Sequence, residues 1–286
     1  MGKFNDALNK SEADKKRLPH ERTLPEKQVK ITADGVESLR LGTAASKDRP
    51  KVSSAFNGRV DPRLISVHEP QSPAAEEFKM LRARILCKSQ TCREQVIMIT
   101  SAQPLDGKSL VAANLAVSIA QGINEHVLLV DCDLRLPSLH NYFGLQVHHG
   151  LREYLEEGKS LTPYLLKTPV RKLTLLPAGS PPPNPSELLS SEKMRLLIAE
   201  LKARYHDRYI IIDATPAQFS AETAFLSNEV DGVLLVVRSG KTPKEAILGA
   251  VDSIGRERIL GVIFNASNEN QKRHRSHYGS YQRKKG

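Results

Sequence analysis

The sequence predicts an α/β protein, a doubly wound, mostly parallel sheet with helices on both faces, and three observations carry that expectation. Short Val/Ile/Leu runs of strand length alternate with stretches of helical period. The runs are continuously apolar rather than alternating, as in parallel strands buried on both faces. Two of them end in Asp, at the carboxyl edge where such sheets open their ligand crevice. A chain of 286 residues with 40% hydrophobic positions can bury one substantial domain with tails. That domain is expected over residues 60–266, between an arm (1–59) and a basic tail (267–286).

The arm is polar and without sustained period, and its charges nearly cancel, so it reads as disordered or weakly ordered. A helix follows over 72–88. Ser72 is its N-cap, Pro73 occupies the first helical position, Glu76 and Glu77 sit in the first turns, and Phe78, Leu81, Ile85 and Leu86 recur at helical spacing. Next come a strand at 96–100, a Gly-containing loop and an amphipathic helix at 109–121. Further strands are expected at 127–130, 173–176, 209–212, 232–237 and 261–264, with helices near 191–205 and 243–254. The tail carries six Lys/Arg against Glu269 alone, so it is strongly basic.

No apolar run approaches the ~18–20 residues that span a bilayer. Residues 1–18 lack the apolar core of a secretory signal, so a cytoplasmic address is expected. Cys87, Cys92 and Cys132 form neither an even set nor a zinc pattern and are read as reduced thiols. The net charge of +10 points to an anionic partner, with nucleotide, lipid headgroups, nucleic acid and acidic polymer all open.

Residues 102–109, Ala-Gln-Pro-Leu-Asp-Gly-Lys-Ser, match the phosphate loop G-x-x-x-x-G-K-[ST] except for Ala102, and they lie between a strand and a helix. Phosphate needs a concave set of backbone N–H groups, and a loop turning into a helix supplies one. Gly107 permits close approach, Lys108 brings positive charge to the β/γ-phosphates and Ser109 would ligate Mg²⁺. The nucleotide-binding set is Ala102, Asp106, Gly107, Lys108, Ser109 and Leu110. Asp131 and Asp133 lie two apart at a strand end, where alternation points both the same way. Two like charges there call for a cation, and Mg²⁺ is the candidate. Asp213, after Tyr-Ile-Ile-Ile, has the form of a carboxylate that holds Mg²⁺ through water. ATP and Mg²⁺ are therefore the expected cofactors.

These three pieces, in this order, resemble the bacterial P-loop tyrosine kinases that accompany capsule and exopolysaccharide synthesis, relatives of the MinD/ParA ATPases. Asp131-Cys-Asp133-Leu-Arg135 matches their second nucleotide motif, and Pro183-Asn-Pro-Ser-Glu-Leu-Leu-Ser190 matches their Pro-Asn-Pro-x-Glu-Leu-Leu segment. The resemblance spans about residues 63–267. It implies a tyrosine autokinase in which Lys108 stabilises the transferring phosphoryl group and Ser109 with Asp213 holds Mg²⁺. Asp131 or Asp133 would orient or deprotonate the tyrosine. It implies that Asn265 contacts adenine, although a strand-end cap is an equal reading. It implies a ring-forming homo-oligomer through Glu76, Lys79 and Arg82, with Lys79 where the family has Arg. Tyr278 and Tyr281 would be the acceptors, phosphorylated in trans, although the family's tyrosine cluster is larger. The implied partners are a membrane-embedded polysaccharide co-polymerase that activates the kinase and recruits it to the inner membrane face, and a cognate tyrosine phosphatase. The arm 1–59 would serve as the docking segment.

The competing function is a MinD/ParA-like ATPase switch or scaffold without tyrosine phosphorylation. Those proteins carry a Lys where this chain has Gln103, and nucleic acid is not expected as a partner. Two departures from the kinase pattern stand out: Asp213-Ala-Thr-Pro216 replaces Asp-x-Pro-Pro, and Glu222 stands where Asp is usual.

Overall fold

The computed structural model describes residues 58–88, 95–157, 160–204 and 208–267. Seven strands form one sheet in the order β3-β4-β2-β5-β1-β6-β7. They are β1 (Val96–Ser101), β2 (His126–Asp131), β3 (Leu166–Lys167), β4 (Leu173–Leu176), β5 (Arg208–Asp213), β6 (Gly232–Arg238) and β7 (Ile259–Asn265). All neighbouring pairs are parallel except β3 with β4. All six expected strands are present, each within about two residues of its predicted ends.

Strand parity sorts the side chains into two cores. Val96, Met98, Leu128, Val130, Ile210, Ile212, Val233 and Leu235 face one way, while Ile97, Ile99, Val127, Leu129, Ile211, Leu234 and Val236 face the other. This explains the unbroken apolar runs, because each strand must supply both faces.

The second core is roofed by three helices, α1 (Ile65–His68), α2 (Pro73–Lys88) and α3 (Lys108–Ala120). Ser72 caps α2 as expected, its Oγ accepting the Ala75 amide at 3.2 Å. The structure corrects the expectation that the helix after the loop is amphipathic. In α3 every residue from Val111 to Ala120 is buried, since α1 and α2 cover its outer side. Its small Ala and Ser side chains permit that close cover. Buried Asn114 fastens the layers by accepting from the Ser66 amide (3.1 Å) and donating to the Arg63 carbonyl (3.1 Å).

Four helices of the first core are α5 (Leu151–Glu157), α7 (Glu192–Arg204), α8 (Ala221–Glu229) and α9 (Lys244–Ile254); α4 (Leu139–Tyr142) and α6 (Pro185–Leu189) are single short turns. The sequence pattern did not reveal α8. Its buried positions are largely polar, Glu222, Thr223, Leu226 and Ser227, so it shows no apolar stripe.

Candidate active site

The phosphate loop joins β1 to α3. Gly107, the N-cap of α3, has φ of 96°. The positive φ favours glycine, and a Cβ there would lie 2.1 Å from Asn265 Nδ2 and push that side chain off the loop. Buried Asp106 braces the loop from inside. One carboxylate oxygen accepts the Gln103 amide at 2.9 Å and the other accepts the Thr242 hydroxyl at 2.7 Å. Asn265, at the end of β7, donates to the Asp106 carbonyl at 2.8 Å while its own oxygen accepts the Ala266 amide. In this conformation its side chain braces the loop and caps the strand end. Ala102 is fully buried and Leu110 half-buried on α3.

Lys108 reaches the carboxyl ends of β2 and β5. Its ammonium donates to Asp133 Oδ2 at 2.7 Å and to Ser109 Oγ at 3.1 Å, and lies 3.7 Å from Asp213 Oδ1. Burial by itself would lower the Lys108 pKa, but the Asp213 and Asp133 charges outweigh it and hold the amine protonated above its usual range.

The three carboxylates differ in how they are held. Asp131 and Asp213 are register partners on adjacent strands, both fully buried. Asp131 accepts three backbone amides, from Asp133 (3.1 Å), Ser138 (3.2 Å) and Leu139 (3.1 Å). Neither oxygen of Asp213 has a hydrogen-bond partner within normal geometry. Asp133 lies past the end of β2, so loop contacts rather than strand alternation place it: Oδ1 accepts the Leu136 amide at 3.0 Å and Oδ2 faces Lys108. Burial, followed by the Asp213 charge, pushes Asp131 up to about 8. Burial pushes Asp213 up to about 6 against the pull of Lys108.

These residues fit Mg²⁺ in a particular way. Among the described residues no three acidic, His or Cys side chains converge as an all-protein cage. Mg²⁺ bound with nucleotide needs only one or two carboxylates, the rest of its shell being phosphate and water. Asp213, buried with two unpartnered oxygens beside the Ser109 hydroxyl, is the side chain suited to that task.

The family departures are accommodated locally. Thr215, in place of a usual Pro, joins Ser220 and Thr223 in a buried hydroxyl trio at 2.5–3.0 Å, and Ser220 caps α8 by accepting the Thr223 amide. Glu222 bonds Arg135 and Ser186, a grouping no sequence spacing announces. Cys132 is buried, and burial raises its thiol well above the ordinary value; Cys87 is exposed, and Cys92 lies outside the described residues. Tyr278 and Tyr281 also lie outside them. In α2, Lys79 pairs with Glu76 at 2.7 Å, and Arg82 donates to the Ser118 carbonyl of α3 at 2.7 Å.

A phosphate loop between β1 and α3, with acidic ends on β2 and β5, defines a nucleotide-binding domain that takes ATP. In agreement, residues 97–285 match the CobQ/CobB/MinD/ParA nucleotide binding domain. Tyrosine-protein kinase YwqD of Bacillus subtilis (strain 168) is 36% identical over 78% of this chain and 93% of that protein. The kinase domain of Escherichia coli tyrosine kinase ETK superposes with a TM-score of 0.66 at 30% identity, covering 71% of this chain and 79% of that one. Tyrosine-protein kinase wzc of Salmonella typhimurium (strain LT2) is 31% identical, and the match spans 77% of this chain and 31% of that longer protein. The chain belongs to the bacterial tyrosine-protein kinases. Among the described residues no helix is long and apolar enough to cross a membrane.

Proposed function

We propose that this chain transfers the γ-phosphoryl group of ATP to tyrosine hydroxyls, with Tyr278 and Tyr281 of a neighbouring copy as acceptors. The observation that carries the reading is the Lys108 ammonium held between Asp133 and Asp213, in a member of the tyrosine-kinase family. Phosphate seated on the amides of residues 107–109 attracts Lys108 away from Asp133. Asp133 Oδ2 is then released to accept the tyrosine proton, whereas Asp131, engaged by three amides, shapes the loop. Mg²⁺ neutralises phosphate charge when bound. Ser109 and Asp213 are the residues that would hold it, and Asp133, with Asp131 once deprotonated, would add negative potential nearby. In this reading Asn265 borders the base end of the nucleotide while bracing the loop.

The wider role is regulation of capsule or exopolysaccharide polymerisation or export. The kinase assembles as a homo-oligomer through α2 and is recruited to the inner membrane face by a membrane-embedded co-polymerase that activates it. A tyrosine phosphatase reverses the modification, and residues 1–59 serve as the docking arm. Arg82 is tied to α3 and Glu76 pairs with Lys79 on α2 itself, so a change at Lys79 probes the assembly without breaking the α2–α3 contact. Lys79→Glu is expected to lower the oligomer mass in light scattering, and an unchanged mass rejects the α2 contact.

The decisive experiment is mass spectrometry after incubation with Mg·ATP, with Lys108→Met as control. Phosphate on Tyr278 or Tyr281 is expected in wild type only. Its absence from both removes the acceptor assignment.

A further inference from the structure

One buried carboxylate beside the crevice takes no part in the chemistry above. Glu222 lies in the first turn of α8, just beyond β5, with its side chain 1% exposed. Its Oε1 accepts Arg135 Nε at 3.1 Å and its Oε2 accepts the Ser186 hydroxyl at 3.0 Å. Arg135 Nη2 in turn donates to Ser186 Oγ at 2.9 Å. This closed ring of three bonds joins the loop after β2, helix α6 and helix α8. Burial alone would raise the Glu222 pKa, but its backbone amide, Ser186 and Arg135 hold it below the usual value.

The place of Arg135 gives the ring a purpose. Its loop is fastened to both site carboxylates, the Leu136 amide to Asp133 and the Ser138 amide to Asp131. Asp133 touches the Lys108 ammonium, which marks the side of the crevice where the β/γ-phosphates arrive. Arg135 is half-exposed, and its Nη1 has no hydrogen-bond partner among the described residues. A guanidinium gripped along its Nε/Nη2 edge and open at Nη1 is oriented for an anion at little further entropic cost.

We propose that Glu222, with Ser186, is a positioning residue that holds Arg135 so that its open Nη1 end meets the phosphoryl group passing from ATP to tyrosine. The proposal rests on the kinase reading above. In the step, the tyrosine Oη forms a bond to the γ-phosphorus as the bond to the β–γ bridging oxygen breaks. The tyrosine proton passes to Asp133, ADP leaves, and Arg135 contributes charge without changing its own bonds.

The test uses the full chain with Arg135→Ala, Glu222→Gln and the double variant. It measures kcat for tyrosine phosphorylation, ATP affinity by a fluorescent analogue, and Tm. Arg135→Ala is expected to lower kcat by ~100-fold with ATP affinity within about threefold, and Glu222→Gln by ~10-fold. Millimolar guanidinium is expected to restore part of the Arg135→Ala rate but not that of the double variant, because Glu222 is needed to seat it. Wild-type kcat in Arg135→Ala overturns the proposal, as does failed rescue of the single variant or equal rescue of both. If wild type hydrolyses ATP yet phosphorylates no tyrosine, the kinase reading fails instead, and Arg135 is then judged on the hydrolysis rate.

Discussion

Asp131 and Asp213 end neighbouring strands in register, are the same residue and are equally buried, yet they are held in opposite ways. The end of β2 wraps back so that three amides point at Asp131. The end of β5 leads into Ala214 and Thr215, whose amide and hydroxyl bond elsewhere, and Asp213 is left with no amide, only the Lys108 ammonium at 3.7 Å and the Ser109 hydroxyl beside it. Burial by itself therefore does not tell a structural carboxylate from a functional one. The hydrogen-bond partners do: a satisfied carboxyl organises a loop, and an unsatisfied one is open to a ligand.

The sharpest way to break this contrast is to remove the cation both strand ends share. Lys108→Met is expected to reduce phosphotransfer by on the order of 10³-fold, read as phosphotyrosine formed per minute, since phosphate then loses its charge partner. Next in size, Asp213→Asn is expected to cost about 10²-fold in kcat while leaving Tm unchanged or raised, because a buried carboxylate without hydrogen-bond partners disappears while Lys108 keeps Asp133. A marked fall in Tm would falsify its reading as a ligand-seeking group. Asp131→Asn is expected to behave differently, losing about 1–3 kcal/mol of stability in urea unfolding, since at least one amide loses its acceptor.

A subtler effect concerns pH. The folded pKa values of Asp131 (about 8) and Asp213 (about 6) lie above the ordinary 3.8, so the folded state retains protons that the unfolded chain releases. Their contribution to stability is fully present below pH 3.8 and is lost as pH rises, that of Asp213 by about pH 6 and that of Asp131 by about pH 8. Without nucleotide, Tm measured between about pH 4 and 6, where the unfolded Asp213 has lost its proton and the folded one keeps it, should fall more steeply in wild type than in Asp213→Asn. Equal slopes would show that Asp213 does not titrate there. The smallest effect is expected at Asn265→Ala, which removes the brace on the Asp106 carbonyl and weakens ATP binding by about five- to tenfold, roughly 1 kcal/mol, in a titration with fluorescent nucleotide.

What the sequence determined by itself was whatever depends on neighbours along the chain. Strand runs show because a doubly covered sheet demands apolar residues at every position, and α2 shows its start because Ser72 and Pro73 act within one turn. The phosphate loop is equally local, since Gly107, Lys108 and Ser109 act through adjacent backbone. Only the tertiary structure decided what α3 and α8 bury, because the cover on α3 comes from α1 and α2 and the buried side of α8 is polar. It alone showed that Asp131, Asp133 and Asp213 have different hydrogen-bond partners, and it turned Asn265 toward the loop. It also brought Arg135, Ser186 and Glu222 together. The reason is physical: a side chain's role follows from where its hydrogen bonds go, and the partners of Asp133 on Lys108, of Arg135 on Glu222 and of Asn265 on Asp106 come from segments 25 or more residues away, which no local pattern encodes.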